Sequence, residues 1–158
     1  MLLNVPDSSF TSNSEASEHY AASRSRIRET VTEEFPVGSC WSAAEGAINP
    51  WIQVDLLHNF QVGKIATQGR ASLQVEEWVT EYKLSYGLLD TELRAVLDDQ
   101  LNERTFTGNT NRFAVEHLFT AVLARFVRLT VLQYHGDRAS LRWDLYACFV
   151  GVYTLAAD

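Results

Sequence analysis

Trp78-Val79-Thr80-Glu81-Tyr82-Lys83-Leu84-Ser85-Tyr86 decides the fold class. In an extended chain Trp78, Tyr82, Leu84 and Tyr86 share one face, while Glu81, Lys83 and Ser85 share the other. That is the pattern of an antiparallel strand with one side on a core and one in water. The same alternation sets Val127, Leu129 and Val131 against Arg128 and Thr130, and Leu141, Trp143 and Leu145 against Arg142, Asp144 and Tyr146. Ile52, Val54 and Leu56 alternate with Gln53 and Asp55, and a second run over 62–67 follows the polar Leu57-His58-Asn59, which predicts a hairpin. Residues 88–101 admit two readings: Leu89, Leu93, Val96 and Leu97 recur at helical steps, but Arg94-Ala95-Val96-Leu97 also reads as a strand. Residues 6–25 lack apolar alternation beyond Phe10 and read as loop. Many short strands with almost no helix point to an all-β sandwich or barrel.

The chain of 158 residues suits a single domain with a sizeable core. Its net charge of −7, with no block of Lys or Arg, argues against nucleic acid or heparin as a general partner. Met1-Leu2-Leu3 does not open a signal peptide, and the apolar stretch 146–157 falls short of the roughly 20 residues of a bilayer span, so no transmembrane segment is expected. Cys40 and Cys148 fit one bridge or two free thiols, and their number leaves that choice open.

Several runs, in order, carry a resemblance. They are Pro6-Asp7-Ser8-Ser9-Phe10-Thr11-Ser12, Trp51-Ile52-Gln53-Val54-Asp55-Leu56, Ala66-Thr67-Gln68-Gly69-Arg70, the 78–86 strand, Phe106-Thr107-Gly108-Asn109-Thr110-Asn111, Ala124-Arg125-Phe126-Val127-Arg128 and Leu141-Arg142-Trp143-Asp144-Leu145-Tyr146-Ala147-Cys148. Together they resemble the discoidin family, also called the coagulation factor V/VIII type C domain. The resemblance implies a jelly-roll-like antiparallel β-sandwich of the galactose-binding-like kind over residues 1–148, with 149–158 as a tail. It also implies a place in secreted or cell-surface proteins and protruding loops that bind phospholipid, glycan or protein. The fold alone does not choose among those ligands. Two departures stand out. The family's usual partner for Cys148 would precede Met1, and Gly87-Leu88-Leu89-Asp90-Thr91 replaces a common Asp, Gly and Trp turn.

The loops supply the candidate site residues. In the first, Glu15 and Glu18 would repel anionic lipid, while His19 and Tyr20 offer stacking and hydrogen bonding to a sugar or protein. In the second, Arg70 and Glu77 match a pair that helps form the ligand site of collagen-binding members. They also suit an ion pair that merely holds the loop. Leu73 and Val75 offer a small apolar tip. A third cluster gathers Asn109, Arg112, His135 and Arg138 on turns, where guanidinium and imidazole groups bond sugar hydroxyls in lectin-like relatives. Arg26, Arg128 and Arg142 read as framework charges or strand-face residues.

No catalytic pattern is found. The adjacent acids Glu33-Glu34, Glu76-Glu77 and Asp98-Asp99 would point to opposite strand faces and cannot work as an acid and base pair. No metal or cofactor motif is present. The expectation is a non-catalytic extracellular adhesion module that recognises a glycan or protein. The alternatives are a peripheral module binding anionic phospholipid such as phosphatidylserine, and an accessory unit anchoring a larger enzyme to polysaccharide.

Overall fold

A computed structural model describes residues 1–27 and 40–150 of the chain. Glu33-Glu34 and the tail beyond Val150 lie outside the described residues. The strands are β1 (Phe10–Ser12), β2 (Trp41–Ser42), β3 (Trp51–Gln68), β4 (Trp78–Gly87), β5 (Arg94–Ala95), β6 (Thr105–Thr107), β7 (Val115–His135) and β8 (Ser140–Phe149). All their pairings are antiparallel.

Two long strands make the sandwich. The first half of β3 pairs with β1 and with the second half of β7, which in turn pairs with β4. The second half of β3 lies between the first half of β7 and β8, and β8 pairs with β2. Where β3 shifts register between Asp55 and Phe60, the sheet turns a corner and its halves become two layers. Val62, Ile65, Leu141, Trp143 and Leu145 of one layer join Ile52, Val54, Tyr82, Leu84 and Leu129 of the other in a single buried cluster. Each such side chain contributes about 1.5–3 kcal/mol on leaving water.

The expected hairpin over 52–67 is therefore a single bent strand. Leu57 sits at φ 67°, and the Asp55 carboxylate accepts its N–H at 2.8 Å while holding the Arg125 guanidinium through two bonds of 2.8 Å. One left-handed residue kinks the chain without reversing it. The Arg125 hydrogen bonds hold the Asp55 carboxyl below the usual carboxylate range. A depressed folded value means a contribution to stability that is present above the unfolded pKa of about 3.9 and lost as pH falls through the folded one. Denaturation across a pH series should show Asp55→Asn less stable than the native chain at neutral pH, with the gap closing in acid.

One open reading is decided and two further expectations change. Residues 88–101 hold β5 and no α-helix, which favours the strand reading. Residues 6–25 are loop only in part, since β1 and short 3₁₀ turns lie within them. Trp78 does not share the Tyr82 face. One extra residue on β4 at Thr80 and one on β7 at Leu132 shift the register, so Val79 enters the core and Trp78 turns outward. The last strand also runs one residue past 148, with Phe149 paired to Phe60.

Both described cysteines are free, Cys40 buried and Cys148 exposed. Trp41 pairs with Leu141, which places Cys40 near the start of β8. From Arg142 to Cys148, at about 3.3 Å per residue, the two lie roughly 20 Å apart along the strand. A disulfide needs Cα atoms within about 7 Å, so the Cys40–Cys148 bridge does not form. A thiol reagent should modify Cys148 rapidly in the native protein and reach Cys40 only on unfolding. Mass analysis of the labelled peptides checks this.

Candidate functional site

Strand ends place the candidate loops together. Gln68 pairs with Arg142, Thr67 with Val115, and Trp78 with His135, so segments 69–77, 108–114 and 136–139 all emerge at the end of the sandwich opposite the corner. The first loop is fixed to the same end, where Trp41 Nε1 donates to the Ser14 carbonyl and the Ala16 N–H to the Ser42 carbonyl.

A buried polar chain lies beneath these loops. Arg70 donates from Nη1 to Glu77 Oε2 and from Nη2 to the Tyr20 hydroxyl, both at 2.9 Å. Ser140 donates to the same Glu77 oxygen at 2.7 Å, and the Ser42 and Ser140 hydroxyls meet at 2.6 Å. Because Ser140 spends its proton on the carboxylate, Ser42 donates to Ser140 and can accept from the Cys40 thiol, 3.5 Å away. Burial pushes that thiol up, which keeps its proton in place. Burial opposes the Arg70 charge, but the Glu77 bond and neighbouring groups outweigh it and hold the guanidinium above its ordinary value.

Arg142 forms a second tie. It is 3% exposed and donates from Nε to the Gly69 carbonyl at 2.9 Å and from Nη2 to the Arg112 carbonyl at 3.3 Å, joining two loops to β8. Asn109 completes the frame, with Nδ2 donating to the Thr67 and Phe113 carbonyls at 3.0 and 2.7 Å. Above the frame His135 stacks on Trp78, ring centroids 4.4 Å apart and planes at 13°. Gly136, at φ 91°, turns the chain against the Glu76 carbonyl, which a Cβ would meet at 2.5 Å.

The sequence pattern of the F5/8 type C domain matches residues 9–145. The chain belongs to the F5/8 type C domain family. Over 113 residues it is 35% identical to contactin-associated protein 1 of Homo sapiens, a match covering 70% of the chain and 8% of that protein. The domain thus corresponds to a small part of that relative. Discoidin II of Dictyostelium discoideum superposes with a TM-score of 0.76 at 24% identity, covering 92% of the chain and 56% of the other. The family 32 CBM from C. perfringens NanJ, solved in complex with galactose, superposes with a TM-score of 0.64 at 21% identity, covering 89% and 96%. The F5/8 type C domain is accordingly an antiparallel β-sandwich of the discoidin and galactose-binding-like kind.

Within this F5/8 type C domain the sequence candidates divide in two. Tyr20, Glu77 and Asn109 are 8%, 5% and 1% exposed, and their side chains bond within the frame. Tyr20 is covered because its hydroxyl accepts from Arg70, and Asn109 because its amide closes the turn beneath Phe113. Arg70 pairs with Glu77, as the simpler reading of that pair expects. Glu15 is exposed yet engaged, its Oε1 accepting from the Ser12 hydroxyl and the Ala22 N–H.

His19, Leu73, Val75 and His135 are exposed, and Arg112 and Arg138 are half-buried. Arg112 lies over the exposed Phe113 ring at 5.2 Å. Ile48 and Phe113 join this exposed set, Trp78 is half-buried and stacked on His135, and none of the three was singled out from sequence. Ile48, 86% exposed between Ala47 and Asn49, was recognisable as a lone aliphatic in a small-residue turn. Among the described residues no group of three or more His, Cys, Asp or Glu is placed to hold a metal ion, and no helix is long and apolar enough to cross a membrane.

Proposed function

We propose that this F5/8 type C domain is a non-catalytic binding module of an extracellular or cell-surface protein, recognising a glycan or a protein partner at its loop end. The Trp78–His135 stack carries the reading. It presents the exposed His135 imidazole, stacked on the half-buried Trp78 indole, at the loop end. An aromatic face packs against the C–H face of a sugar or a partner's apolar side chain, and imidazole and guanidinium groups bond hydroxyls and carbonyls. The fold shared with a galactose-bound CBM supports the glycan branch.

A glycan array tests it: a competable hit, weakened about tenfold or more by Trp78→Ala or His135→Ala, supports the glycan branch, a tenfold change being about 1.4 kcal/mol. An empty array moves the weight to a protein partner. Exposed Leu73, Val75, Ile48 and Phe113 at the same end favour a second reading, insertion into anionic phospholipid. The net charge of −7 opposes it. Salt-sensitive sedimentation with phosphatidylserine liposomes, lost in Leu73→Ser, would support the lipid reading, and no sedimentation would remove it.

A further inference from the structure

Two features of the loop end meet across Gly69. Phe113 is 63% exposed, yet the turn that carries it is pinned. Its carbonyl accepts from Asn109 Nδ2 at 2.7 Å, and its N–H donates to Asn111 Oδ1 at 2.9 Å. The Gly108 and Asn109 N–H groups donate to the Thr80 and Val79 carbonyls at 2.8 and 2.7 Å, which roots the turn on β4 next to Trp78. Gly69 lets the two come close. A Cβ on Gly69 would lie 2.9 Å from Trp78 Cβ, 2.9 Å from the Asn111 carbonyl oxygen and 3.0 Å from Arg112 Cα, so any side chain there would push the 111–113 turn away from Trp78. Arg142 holds the same junction from beneath, through its bonds to the Gly69 and Arg112 carbonyls. Burial works against its charge and pushes the guanidinium below its ordinary value, so the junction is kept at some cost.

We propose that Phe113, with the Arg112 guanidinium over its ring, forms a second sugar subsite joined to the Trp78–His135 stack across Gly69, and that Arg142 is the positioning residue that fixes the distance between the two. This extends the glycan branch of the proposed function and rests on it, and it makes the ligand an oligosaccharide. Each pair combines an aromatic ring with a hydrogen-bonding group. The ring covers the C–H face of one sugar residue, and the guanidinium or imidazole bonds its hydroxyls. A phenyl ring on a pinned backbone has little freedom left to lose when it is covered, so its burial adds to affinity with a small ordering cost. Two linked contacts reinforce each other only for a ligand that spans both at the spacing the protein holds. Arg142, 3% exposed, acts on that spacing through the loop backbone and not through the ligand.

Titration calorimetry with an oligosaccharide hit from the glycan array, and with the methyl glycoside of its terminal residue, tests this. Phe113→Ala should weaken the oligosaccharide about tenfold or more relative to the methyl glycoside, whereas His135→Ala should weaken both. Arg142→Lys keeps the charge but cannot hold both carbonyls, and it should reproduce the Phe113→Ala pattern, as should Gly69→Ala. A merely structural Arg142 would weaken the two probes alike. Should the substitutions at 69 and 142 not fold, Phe113→Ala, at an exposed position, still decides. An oligosaccharide held by Phe113→Ala as tightly as by the native domain, but lost by His135→Ala, would overturn the second subsite and leave the proposed function standing. Indifference to both substitutions would sink both, and an array without an oligosaccharide hit would overturn the subsite as well.

Discussion

Replacing Glu77 by Ala is expected to destabilise the domain by about 3–5 kcal/mol, the cost of breaking a buried ion pair from one side. The Glu77 carboxylate is 6% exposed and the Arg70 guanidinium 16%. Its removal leaves the Arg70 charge facing only the Tyr20 hydroxyl, and it leaves the Ser140 hydroxyl without its acceptor. The Ser42 and Cys40 protons then lose the direction that the carboxylate imposes on the chain. Arg70→Leu combined with Glu77→Leu should be markedly less damaging than the sum of the single changes, because the paired apolar side chains strand no charge. Urea unfolding of the two single variants and the double variant measures this coupling. His135→Ala, at an exposed position, should stay within about 0.5 kcal/mol of the native domain. A Glu77→Ala loss no greater than that of His135→Ala would mean that the chain is wet and not structural.

Trp143→Ala is expected to cost about 3–5 kcal/mol, the usual range for emptying a large aromatic site in a core. Trp143 is fully buried in the cluster that joins the two layers. Its Nε1 also donates to Ser25 Oγ at 3.0 Å, and Ser25 in turn donates to the Ala22 carbonyl. The substitution therefore opens a cavity and releases the turn over the last strand at once. Trp143→Phe keeps most of the volume and should recover more than half of the loss. Thermal and urea unfolding of both variants checks this, and equal losses would show that the hydrogen bond outweighs the packing.

Period-2 alternation made the layers legible because burying one face of a strand leaves its record in every second residue. Val127, Leu129, Val131, Leu141, Trp143 and Leu145 all point where that record places them. It failed where the chain departs from a regular strand. One left-handed residue at Leu57 converts an apparent turn into a kink, and paired bulges at Thr80 and Leu132 turn Trp78 outward while Val79 turns in. Neither event needs Gly or Pro, so neither leaves a mark in composition. At the loop end, residue type named segments that the fold brings together, but not how each side chain is engaged. Tyr20 and Asn109 look like ligand groups by chemistry, yet both are consumed by partners distant in sequence, Tyr20 by Arg70 and Asn109 by the Thr67 carbonyl. Which polar side chains remain available depends on such long-range bonds, and no local spacing encodes them.

On the proposed function, recognition belongs to the loop end and the buried frame beneath it only positions that end. Titrating the isotopically labelled domain with the strongest array ligand, while following backbone amide chemical shifts, tests it directly. Shifts concentrated in 14–20, 69–78, 108–114 and 134–138 are the predicted result. Shifts centred on the corner, at 56–60, 123–126 and 149–150, with the loop end silent, would contradict it.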